Sequence, residues 1–190
     1  MKKLLFTILL LLTSSISFAQ DEHMKFMGIP IDGPLESFVQ KLKTKGYSHI
    51  ETRDGIAILR GEFATQKNCQ IHVTTFGGRD KVNIVTVIFP KRQTWGDIMD
   101  HYTTYKSLLT EKYGQPECVE EFSEREPTSD FLKFHALLLG GCTFISEFRC
   151  DNGSIQLSMT KMNYNSASVY IKYVDTANTE ELRNKVLEDL

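Results

Sequence analysis

The heptapeptide Ser154-Ile155-Gln156-Leu157-Ser158-Met159-Thr160 alternates polar and apolar residues without a break. A period of two puts Ile155, Leu157 and Met159 on one side of an extended chain and Gln156, Ser158 and Thr160 on the other. That is a strand with one buried and one wetted face. The split recurs elsewhere. Ile71 and Val73 oppose Gln70, His72 and Thr74; Val85, Val87 and Phe89 oppose Ile84, Thr86 and Ile88; Val169, Ile171 and Tyr173 oppose Tyr170 and Lys172. Antiparallel sheets commonly keep one face in water, whereas parallel sheets bury both. The pattern therefore predicts an α+β fold, an antiparallel sheet with helices packed on its apolar face only.

Working outward, strands are predicted at Ile56 to Phe63, Cys69 to Phe76, Val82 to Phe89, Thr143 to Arg149, Ser154 to Lys161 and Ala167 to Val174. The turns between them are marked by Gly77-Gly78-Arg79-Asp80 and Asp151-Asn152-Gly153. A helix opens after Asp32-Gly33-Pro34 and stops at Gly46; Thr94 caps another through Lys112, closed by Gly114 and Pro116. Ser129 or Asp130 caps a third through Leu139, and the last runs from about Thr179 to Leu190. The acidic stretch Glu117 to Glu126 is expected to be a solvated loop, since it lacks the Asp-rich order of a calcium loop.

Both halves read helix, three strands, helix. Glu62-Phe63 falls opposite Glu147-Phe148, Ile71-His72-Val73 opposite Ile155-Gln156-Leu157, and Val85-Thr86-Val87 near Val169-Tyr170-Ile171. Two tandem units on one sheet, 27–116 and 117–190, account for this; shared strand periodicity alone accounts for it as well.

At the start, Lys2 and Lys3 precede an apolar run from Leu4 to Leu12, and Ser17-Phe18-Ala19 supplies small residues around a cleavage position. This is the layout of a signal peptide, residues 1–19, cut after Ala19. The run is about half of the roughly 20 residues a membrane-spanning helix needs, so no transmembrane anchor is expected in the mature chain. Residues 20–26 are expected to form a flexible leader. The destination is then the periplasm or the exterior. Removing Lys2 and Lys3 from the 22 basic residues leaves 20 against 24 acidic ones, a net charge of −4. Such a balance gives no footprint for a phosphate backbone, so nucleic acid is not an expected partner.

Export makes disulfides plausible among Cys69, Cys118, Cys142 and Cys150. Cys142 and Cys150 flank one predicted strand and lie roughly 26 Å apart at about 3.3 Å per residue, beyond any disulfide. Pairing Cys118 with Cys150 and Cys69 with Cys142 suits an antiparallel arrangement, and the remaining pairing stays open. Free buried thiols are the competing reading.

The string Phe26-Met27-Gly28-Ile29-Pro30-Ile31-Asp32-Gly33, with Lys45-Gly46-Tyr47, Gly61-Glu62-Phe63 and Lys112-Tyr113-Gly114-Gln115-Pro116, resembles exported proteins of unassigned role from gut Bacteroidetes-type bacteria. The layout also resembles the tandem sheet-plus-helix fold of beta-lactamase inhibitor proteins. That likeness implies a sheet face that grips another protein, and no catalytic residues.

The residues themselves nominate no chemistry. Ser-His-Asp catalysis has no Gly-x-Ser-x-Gly context, the five histidines show no metal spacing, and the glycine doublets lack a phosphate-binding motif. No cofactor or metal is expected. The expected function is therefore binding of a protein or peptide in the envelope through the wetted sheet face, with His72, Thr74, Ile84, Thr86, Ile88, Gln156, Ser158, Tyr170 and Lys172 as candidate contacts. The alternative is a small-ligand or lipid carrier with an apolar cleft near Trp95, Tyr102 and Phe144.

Overall fold

The structure is a computed structural model and describes residues 23–76, 80–188 and 190. The signal peptide expected over 1–19 lies outside the described residues, as does most of the turn at 77–79. The fold is α+β. A short ribbon of β1 (Lys25–Phe26) and β2 (Ile29–Pro30) leads into α1 (Leu35–Thr44), then β3 (Ser48–Arg53), β4 (Ile56–Phe63), β5 (Gln66–Thr75), β6 (Val82–Ile88) and α2 (Trp95–Tyr113). β7 (Glu117–Phe122), α3 (Asp130–Leu139), β8 (Cys142–Cys150), β9 (Gly153–Asn163), β10 (Ser166–Asp175) and α4 (Thr176–Glu188) complete it.

Eight strands form one antiparallel sheet in the order β3-β4-β5-β6-β10-β9-β8-β7. Each half runs inward from an edge, and β6 meets β10 at the middle, with Thr86 opposite Lys172 and Ile88 opposite Tyr170. The segments matched by sequence lie on β4 and β8, β5 and β9, and β6 and β10, each pair equally far from that seam. The halves differ at one connection. Asp54 and Gly55, both at positive φ, join β3 to β4 in a tight turn, whereas α3 is inserted between β7 and β8.

The apolar rows pack against the helices. Leu59, Ile71, Val73, Val85, Val87, Ile155, Leu157 and Val169 have no exposed surface, and Phe38, Leu42, Ile98 and Tyr102 cover them from α1 and α2. Thr94 caps α2 by accepting from the Asp97 amide at 3.1 Å. α1 begins after proline and borrows its cap from afar, the Leu35 N–H donating to Asp80 Oδ1 at 2.9 Å.

Three expectations are corrected. Residues 23–26 belong to the expected leader, yet Met24 and Phe26 are buried in the core. The Met24 N–H donates to the fully buried Asp175 carboxylate at 2.7 Å, and β1 pairs with β2. The acidic stretch is a strand through Phe122: β7 is held to α2 by Glu120 Oε1, which accepts from Tyr102 at 2.9 Å and Lys106 at 2.6 Å. Burial alone would raise the Glu120 carboxyl, but the bonds from Lys106 and Tyr102 outweigh it and hold the group below its ordinary value.

The third correction concerns sulfur, since all four cysteines are free. Cys118 sits opposite Ser146, four residues before Cys150 on β8, so those two are about 13 Å apart along the strand. Cys69 is buried on β5 and its thiol donates to Gln66 O at 3.3 Å, while Cys142 lies on β8 with three strands between them. Burial raises the Cys142 thiol to about 11 and also raises Cys69 and Cys150. An extended strand separates Cys142 from Cys150, as the spacing implied.

Candidate recognition face

The polar rows of the strands form the sheet's other face, which no helix among the described residues covers. β-Pairing brings all nine candidate residues together on the four central strands. His72, Thr86, Lys172 and Gln156 make one continuous row across β5, β6, β10 and β9. Ile88, Tyr170 and Ser158 make the next row, and Thr74 lies opposite Ile84 in a third.

Eight of the nine are half-exposed. Tyr170 lies over its neighbour, its hydroxyl donating to Gln156 Oε1 at 3.1 Å. His72 Nε2 lies 3.3 Å from Gln70 Oε1, and burial pushes the imidazole below its ordinary pKa, favouring the neutral ring. Lys172 forms no ion pair among the described residues. Ser158 is the exception: it points to this face but is only 4% exposed, and its hydroxyl donates to Phe144 O at 2.8 Å. A small side chain between larger neighbours satisfies itself on the adjoining strand, so Ser158 shapes the surface and offers no free hydroxyl.

Pairing also extends the face to residues the alternation did not reveal. Ile58 continues the His72 row on β4, Ile56 continues the Thr74 row, and Ile145 with Val119 continues the Ser158 row onto β8 and β7. In Ile56-Ala57-Ile58-Leu59 both parities are apolar, so local sequence could not say which side faced out. Lys172 puts one charge at the centre, and the other charges sit at the margins. Arg60 lies on β4 toward one edge; Glu147, and Glu117 paired with Arg149 at 2.9 Å, lie toward the other. Half-exposed isoleucines, a tyrosine and hydroxyls gathered around one lysine, with more charge at the rim, suit a protein contact surface.

The cleft expected near Trp95, Tyr102 and Phe144 is filled by those rings. The Trp95 and Phe144 centroids are 5.4 Å apart, those of Tyr102 and Phe144 6.0 Å, and Phe122 closes on Trp95 at 5.6 Å. An adjoining depression of about 460 Å³ is bordered by Glu120, Glu121, Glu124 and Glu126. Among the described residues no helix is long and apolar enough to cross a membrane.

In comparisons with known proteins, no family model, curated protein or solved structure matches the chain.

Proposed function

We propose that this chain is an exported, non-catalytic recognition protein that holds a protein or peptide partner against the open face of its sheet. One observation carries the reading: among the described residues, eight antiparallel strands are covered by helices on one side only, and the other side mixes half-exposed isoleucines and Tyr170 with hydroxyl and amide groups around Lys172, with further charge at its rim. Size supports it. Eight strands at about 4.8 Å spacing span about 34 Å, and three side-chain rows add about 20 Å in the other direction, giving roughly 700 Å². A standard interface takes about 800 Å² from each partner. Lys2-Lys3 with the following apolar run supports export.

The test is capture from envelope extract by the mature protein and by Tyr170→Asp and Ile88→Asp variants. Both side chains are half-exposed, so the variants are expected to melt like the parent while retaining no partner. Undiminished capture by both would defeat the site. Native mass spectrometry decides the carrier alternative: a copurifying lipid or other small molecule would replace the present reading, and an empty protein would remove the alternative.

A further inference from the structure

α3 is the element that one half of the sheet has and the other lacks, and its composition asks for more cover than the chain supplies. Asp-Phe-Leu-Lys-Phe-His-Ala-Leu-Leu-Leu, residues 130–139, is apolar nearly all round, a pattern that normally means burial on every side. Here Phe134, Leu137 and Leu138 are buried against the core, whereas Phe131 is 77%, Leu139 71% and Leu132 48% exposed. Phe131, His135 and Leu139 lie at i, i+4 and i+8, one above another on the outer side, and the Phe131 ring stacks on His135 with centroids 6.4 Å apart. Beside this ridge lies a groove of about 540 Å³, walled mainly by Phe122, Pro127, Leu132, Ala136 and Leu139, with Glu124 and Arg125 at its side.

We infer that this face is a self-association surface, on which two copies of the chain pack α3 against α3 about a two-fold axis. A two-fold contact requires a patch that complements itself, and this one carries an apolar ridge and an apolar groove side by side. Positions 131, 132, 135, 136 and 139 include no Asp, Glu, Lys or Arg, so the ridge brings no charge into the contact, and the two charged residues at the groove, Glu124 and Arg125, are of opposite sign. The border is mixed: Glu124, Glu126 and Asp130 alternate with Arg125 and Lys133, and Lys133 is already paired with Glu126. Its acidic excess disfavours an anionic lipid surface, where basic flanks are the rule. The three exposed apolar side chains present on the order of 350 Å², so two copies bury on the order of 700 Å² from them. With the groove walls added, this reaches the lower end of specific interfaces, as expected for a weak, concentration-dependent dimer. α3 lies on the helical side, so the dimer leaves both open sheet faces free and presents two recognition surfaces together.

Sedimentation equilibrium of the purified protein over a wide concentration range tests this. The mean mass is expected to climb toward twice that of the chain, and Phe131→Asp combined with Leu139→Asp is expected to weaken association by about tenfold or more. Both residues are exposed, so circular dichroism should be unchanged. Tyr170→Asp is expected to associate like the parent, which separates this surface from the sheet face. A protein monomeric at every concentration, or a dimer that survives the double substitution, overturns the inference; so does flotation with phosphatidylglycerol-containing vesicles by a protein that never self-associates.

Discussion

Ile171 and Tyr170 are consecutive residues of β10, yet one has 1% of its surface exposed and the other lies half in water. The same division runs through the whole sheet. On the helical side Leu157, Val85 and Val73 meet other apolar atoms on every side; on the open side Gln156, Thr86 and His72 meet water and one another. The two faces share strands, register and backbone hydrogen bonds, so what separates them is only what lies above each. Stability should therefore reside on the helical face and recognition on the open one, and each substitution below tests that division.

The widest separation is expected between neighbours. Ile171→Asp places an unpaired carboxylate in the core and should cost about 4 kcal/mol or more, enough to unfold a marginal domain. Tyr170→Asp should cost less than about 1 kcal/mol in the same urea titration. Similar losses for both would break the comparison.

Histidines sharpen it. His101, on α2 against Phe89 and Tyr105 with ring centroids 4.9 Å from each, is 9% exposed, and neither ring nitrogen has a hydrogen-bond partner among the described residues. Burial, helped by the charge of Arg92, pushes its pKa from 6.5 down to about 4. The unfolded chain thus takes up a proton that the folded chain refuses. Stability is full above about pH 6.5 and falls as the pH drops toward 4, by about 2 kcal/mol at pH 5. Replacing His101 by Leu should flatten the stability profile between pH 7 and 5; an unchanged slope would assign the loss to other groups. His72, half-exposed on the open face, should influence capture over that range more than stability.

A smaller effect is expected where a polar network sits beneath the helical side. Tyr102 OH lies 2.7 Å from Ser146 Oγ and 2.9 Å from Glu120 Oε1. Tyr102→Phe removes both contacts without altering the packing of the ring, at about 1–2 kcal/mol by thermal or urea denaturation. Smallest should be Ile84→Thr on the open face, which keeps a β-branched residue and should change stability by less than about 0.5 kcal/mol while weakening capture.

How much was legible beforehand varied with position in the sheet. The six inner strands were placed to within a few residues, and the sidedness assigned to β5, β6, β9 and β10 matched the observed burial at every position but Ser158, because each of those strands has a dry face and a wet face. β3 and β7 were not recognised. Every residue of β3 and all but Phe122 of β7 are exposed, so no alternation was written there, and the glutamates of β7 read as loop. At the candidate site the central residues were legible and their extension onto β4 and β8 was not. Ser158 was placed on the correct side, but neighbouring strands closed over it.

Sidedness is a local property. Adjacent residues of an extended chain must point opposite ways, so the order of apolar and polar side chains alone settled which residues are core and which are surface. Strand order is different, because it depends on which distant segments meet. Only the tertiary structure decided that β6 pairs with β10, that Asp80 caps α1, that the cysteines stand too far apart to bond, and that α3 turns an apolar side outward.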